Sequence, residues 1–108
     1  MEEQSLCVVL VTAPSIKVAT NLSNELISRK LAACVNILPN VTSIYRWQGK
    51  VESSNELLLV IKTTNLRYKA LQDTIVELHP YETPEIIALN TGNVSAKYCQ
   101  WVIDETSS

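Results

Sequence analysis

His79, Glu82 and Glu85 follow one another at spacings of three residues in the stretch ELHPYETPEII. Imidazole and carboxylate are groups that copper(II) and zinc accept as ligands. The chain has one histidine in all, so such a site has a single nitrogen donor and needs partners from elsewhere, for instance across a subunit boundary. A second constellation offers different chemistry. Lys62, followed by Thr63 and Thr64, can hold an anion, with Trp47, Tyr81 and His79 as walls of a small-molecule cleft. The corner also works with no ligand. Pro80 ends a helix and pushes His79 out of helical geometry. The imidazole then sits near the last carbonyls, a field that favours imidazolium. Thr83 and Pro84 make a second extended step that aims Glu85 into a strand. Tyr81 packs its ring and keeps its hydroxyl wet. Trp47 reads equally as the packing anchor of an interface, and Lys62 as a solvated strand end. These alternatives stay open on the residues alone.

Other chemistries find little footing. No serine or cysteine stands in a motif with the histidine, so nucleophilic catalysis lacks its base. The chain has two glycines, too few for a phosphate-cradling loop. The expectation is a protein that is not an enzyme. Net charge is −2 and no basic stripe appears, which argues against nucleic acid or an acidic membrane surface as partner. No apolar run approaches the length of a membrane span. The start, MEEQS, is acidic and short, unlike a targeting segment; a cytoplasmic protein is expected, although a mature chain cut from a longer precursor would read the same. Cys7, Cys34 and Cys99 are odd in number and lack C-x-x-C spacing, so free and mostly buried thiols in a reducing compartment are expected. Sequons at Asn21, Asn40 and Asn93 then read as chance matches.

The elements that must position these residues follow from pattern. At 108 residues a single domain, 1–108, is the expectation. LCVVLVT, 6–12, is a buried strand. Ser15 caps a helix over 16–33 whose apolar face is Val18, Ala19, Leu22 and Leu26. Residues 34–47 are β-branched and aromatic, and Pro39 marks a bulge or an edge. Gln48, Gly49 and Lys50 turn the chain into a returning strand, 51–64. This hairpin is long enough to project. Its outer half places Thr42, Arg46, Lys50, Glu52 and Ser54 on one side and Ile44, Tyr45 and Trp47 on the other. A second helix spans 65–79, a short strand 85–91, and a last helix 95–105 with Tyr98, Trp101 and Val102 inward. The order is βαββαβ with an added helix, the ferredoxin-like α+β pattern of a four-stranded antiparallel sheet. CVVLV, LLLVI and EIIAL are apolar on both faces, so the face away from the helices needs a cover. A closed homo-oligomer supplies it economically.

VLVTAPS, RKLAACVNILPNVTSIYRWQGKVE, ELLLVIKTT and LHPYETPEIIAL, taken together, resemble the CutA family of divalent-cation tolerance proteins. The likeness runs from about Val8 to Trp101. It implies a ferredoxin-like fold assembled through the long hairpin as a tight homotrimer, similar to that of the PII signalling proteins. It also implies a role in tolerance of divalent metals, copper above all, and for animal members a link to acetylcholinesterase anchoring. Copper(II) or another divalent cation is thus the expected ligand, bound weakly near the intersubunit cleft at His79, Glu82 and Glu85. Copper-linked readings of the family use sulfur or histidine in the first strand and just before the HP step; Val11 and Leu78 stand there in this chain. The competing expectation is a PII-like regulator or scaffold that takes a small anionic ligand or a protein partner at Trp47, Lys62 and Tyr81, in a cleft between subunits.

Overall fold

The computed structural model describes residues 5–107. Its elements run β1 (Leu6–Ala13), α1 (Ile16–Ser28), β2 (Cys34–Trp47), β3 (Lys50–Thr64), α2 (Tyr68–Leu78), β4 (Ile86–Asn90) and α3 (Ala96–Glu105). The strands form one sheet in the order β2-β3-β1-β4, and every neighbouring pair is antiparallel. This is the ferredoxin-like arrangement expected from the pattern.

Period-two alternation builds the core. Val9, Val11 and Ala13 of β1 face one way with Leu59 and Ile61 of β3. Against them pack Ala19, Leu22 and Leu26 of α1, with Leu71 and Ile75 of α2. α1 starts where Ser15, extended at φ −153°, accepts the Val18 N–H at 3.2 Å. It stops short of the expected end at residue 33. Lys30 adopts φ 59°, its N–H bonds to the Ile27 carbonyl and that of Leu31 to Leu26. That double bond is a Schellman cap, and it buries Leu31 against the core. α2 starts later than expected because Asn65 still belongs to the sheet end, exchanging bonds with Ser5. Arg67 then donates from Nε to the Thr106 carbonyl at 2.6 Å, which ties α3 down. In α3 only Val102 of the three expected inward residues is fully buried; Trp101 is 43% exposed.

The hairpin β2–β3 extends the molecule to 49 Å along its long axis. Its register shifts between Leu38 and Val41, where β2 carries one residue more than β3. Pro39 sits in this bulge, and Asn40 takes φ 62°. The turn is a two-residue loop, Gln48 and Gly49 at φ 49° and 78°, between the paired Trp47 and Lys50. The register corrects the expected sidedness. Tyr45 and Trp47 share a face with their partners Glu52 and Lys50, while Ile44 points the other way with Arg46.

The sheet face away from α1 and α2 is apolar. Val8 and Leu10 of β1, Leu58 and Val60 of β3, Leu38 of β2, and Ile87 and Leu89 of β4 are brought together there by the register. The first four are half-buried; Leu38, Ile87 and Leu89 are exposed. α3 packs against β3 and β1, with Tyr98 beside Cys34.

Candidate functional site

β1 accompanies β3 only as far as the pair Ala13 and Leu57. From Glu56 outward the hairpin continues without β1 beside it. The segment between α2 and β4 lies across this step. Together they enclose an open cleft of about 620 Å³, lined by Thr12, Ser43, Ile44, Tyr45, Trp47, Glu56 and residues Tyr81 to Thr83 and Glu85.

His79 fixes the corner. Pro80 stops α2, and His79 turns extended at φ −75°, ψ 137°. The ring is buried. Its Nε2 lies 2.8 Å from the Thr12 carbonyl oxygen, and its Nδ1 accepts the Tyr81 N–H at 3.1 Å. The two partners complement a neutral ring with its proton on Nε2, rather than the imidazolium expected from the helix end. Both nitrogens are engaged within the chain, so a metal at His79 must displace one bond. The Tyr81 ring packs against the imidazole, tilted at 57° with centroids 4.8 Å apart, and its hydroxyl donates to Glu56 Oε2 at 3.0 Å. Desolvation, with the Glu56 carboxylate at the hydroxyl, pushes Tyr81 up to about 12. A chain of bonds thus links the end of β1, the corner and β3.

The structure brings Trp47, Tyr81, Glu82 and Glu85 to one cleft. It does not bring Lys62 there. Lys62 lies six residues along β3 from Glu56, roughly 20 Å at strand rise, cross-strand from Cys34 and Val8. Its ammonium bonds to Asn36 Oδ1. Within one chain Lys62 therefore stands apart from Trp47 and Tyr81. Among the described residues no three His, Cys, Asp or Glu side chains gather as a metal-ligand set. Val11 and Cys7 both face the core; burial pushes the Cys7 thiol up. Cys7, Cys34 and Cys99 are all free, and of these only Cys7 is fully buried.

Six lining residues, Thr12, Ser43, Ile44, Tyr45, Glu56 and Thr83, do not read as site residues in the sequence. Glu56 abuts the apolar run LLLVI and reads as an ordinary strand charge. Thr12 reads as the end of a buried strand. A charge directly beside a buried run was the available signal for Glu56.

Comparison with known proteins agrees with this architecture. Residues 7–105 match the family model described as CutA1 divalent ion tolerance protein. A divalent-cation tolerance protein CutA from Thermus thermophilus is 46% identical over 99 residues, 92% of this chain and 96% of that protein. A chloroplastic Protein CutA of Arabidopsis thaliana is 42% identical over 110 residues, 98% of this chain but 60% of the relative. The crystal structure of divalent ion tolerance protein CutA1 from Ehrlichia chaffeensis superimposes with a TM-score of 0.93 at 34% identity, covering 99% of this chain and 100% of that one. The matched span, the sequence identities and the superposition agree, and the chain belongs to the CutA1 divalent ion tolerance family.

Proposed function

We propose that this single domain works in divalent-cation tolerance as a homotrimer. In this reading it binds copper(II) or another divalent cation weakly at the cleft under the hairpin. Glu82 and Glu85 serve as oxygen ligands, and a neighbouring subunit completes the set. The observation that carries this reading is the charge of the cleft: Glu56, Glu82 and Glu85 line it, and among the described residues no lysine or arginine does. His79 enters as a positioning residue, since it holds Tyr81 and the turn that presents Glu82. A lone pair freed by displacing the Tyr81 N–H would make it a ligand too.

The homotrimer is supported by the apolar second face of the sheet and the projecting hairpin, which together offer a cover and an edge to a neighbour. No helix among the described residues is long and apolar enough to cross a membrane. The free thiols favour a reducing compartment, and we place the protein in the cytoplasm. The proposal contains no catalytic step. The acidic lining disfavours the anionic-ligand alternative at this cleft.

Native mass spectrometry of metal-stripped protein titrated with copper(II) tests the reading. A trimer taking up one ion per subunit, lost when Glu82 and Glu85 are both changed to Gln, is the expected result. Scattered uptake indifferent to that double change and to His79→Ala sinks the metal site.

A further inference from the structure

One enclosed polar atom is left without a partner. Thr64 ends β3 and is fully buried. Among the described residues its Oγ1 is the one buried side-chain nitrogen or oxygen that makes no hydrogen bond. The threonines around it are served: Thr63 donates to the Leu31 carbonyl at 2.6 Å, and Thr106 to the Val102 carbonyl at 2.8 Å. A buried hydroxyl without a partner costs free energy. Thr64 is closed off inside a single chain, so a neighbouring subunit cannot reach it to supply the bond.

The register shows what surrounds it. Thr63 shares a face with Leu59 and Ile61, toward α1 and α2. Thr64 therefore faces the other side of the sheet, where α3 packs on β3 and β1. Cys34 pairs with Lys62 and stands on that same side, a diagonal neighbour of Thr64. Such neighbours are about 7–8 Å apart at Cα and closer at the side chains. The thiol does not reach the hydroxyl, and one oxygen added to the sulfur narrows the gap. Tyr98 of α3 lies at the thiol; burial and then Cys34 push its hydroxyl up. Cys34 is half-buried, whereas Cys7 is sealed in the core.

We propose that Cys34 is a reversible oxidation site, which takes one oxygen from hydrogen peroxide and holds it as a sulfenic acid against the Thr64 hydroxyl. The sulfur attacks one peroxide oxygen. An S–O bond forms as the O–O bond breaks, and sulfur gives up two electrons. The other oxygen leaves as water with the thiol proton. The new oxygen accepts from Thr64 Oγ1. That bond is absent in the reduced protein and forms as the oxygen arrives, so it favours the oxidation step. A thiol reductant restores the cysteine. The inference does not rest on the cation reading, whose ligands stand at the cleft under the hairpin.

Trapping with dimedone, which reacts with sulfenic acids, tests it. The full chain in its native assembly is exposed to hydrogen peroxide with a metal chelator present, and peptide mass spectrometry follows the adduct at each cysteine. The expected result is faster labelling of Cys34 than of Cys7 or Cys99, lost when dithiothreitol is added before dimedone. Thr64→Val exchanges the hydroxyl for a methyl group of similar shape. It should slow labelling of Cys34 about fivefold, the worth of one hydrogen bond, and leave Cys99 unchanged. Thr64→Ser keeps the hydroxyl and should keep the rate. A loosened fold would instead speed labelling of the core thiol Cys7, which separates a structural effect from a chemical one. Should Thr64→Val fail to fold, Thr64→Ala read in the same way replaces it. No adduct at Cys34, equal labelling of all three thiols, or a Cys34 rate unmoved by loss of the hydroxyl each overturns the inference.

Discussion

Replacing His79 by alanine removes two buried connections at once. The Thr12 carbonyl loses its donor at 2.8 Å, and the Tyr81 N–H loses its acceptor at 3.1 Å. Thr12 is buried, while Tyr81 is part-exposed, so water reaches the second group more easily than the first. A buried polar group left unsatisfied costs about 1–3 kcal/mol. Counting Thr12 fully, Tyr81 in part, and the space left by the ring, the loss comes to about 2–4 kcal/mol. Urea unfolding at one fixed protein concentration measures it, since assembly makes the midpoint concentration-dependent. In a thermal scan the same loss lowers Tm on the order of 10–20 °C for a domain of this size. His79→Gln separates the two bonds: its amide can donate to Thr12 without serving Tyr81 equally, so about half the loss should return. A loss under about 0.5 kcal/mol, the range of an ordinary surface change, or a glutamine no better than alanine, refutes the structural role given to the imidazole.

Lys30→Gly should stabilise the chain by about 0.5–1 kcal/mol, because lysine pays a left-handed penalty at φ 59° that glycine avoids; a destabilised variant in urea melts contradicts the cap assignment. Alkaline stability should fall as pH rises from about 10 to about 12: folded Tyr81 keeps its proton up to about 12 while the unfolded phenol loses it near 10. Tyr81→Phe should flatten that part of the profile, and an unchanged profile tells against the Glu56 contact. Leu89→Glu puts a charge on the exposed apolar sheet face and should shift sedimentation toward the monomer with the far-ultraviolet spectrum retained. Unaltered sedimentation of an oligomer would move the interface elsewhere.

Much of the fold was legible because its signals are local and strong. The valine-rich run of β1, the Ser15 cap, the Pro39 bulge and the Pro80 stop each act within a few residues. The failures share a different cause. The end of α1 depends on one lysine accepting a left-handed conformation so that Leu31 can reach the core, and no residue type announces that. Ile44 reads with Tyr45 by chemical likeness, but adjacent strand residues alternate and the register puts the two on opposite faces. Lys62 and Trp47 share a chemistry that the sequence groups, and within one chain the hairpin holds them apart, so only an assembly can bring them to one cleft. Glu56 became visible only once the register across the bulge showed where β1 leaves its neighbour.

The bulge has a consequence for how this arm can vary. A plain two-stranded ribbon can slide by two residues and still present the same side chains to each face. The surplus residue at Pro39 and Asn40 and the tight loop at Gln48 and Gly49 mark two fixed points on the ribbon. Between them the paired segment is a spacer. Adding or removing a matched pair of residues on each strand would change the reach of the arm by about 7 Å and leave the inner sheet, the helices and the core in place. Reach and stability are thereby separable properties of this chain, set by different stretches of the same two strands.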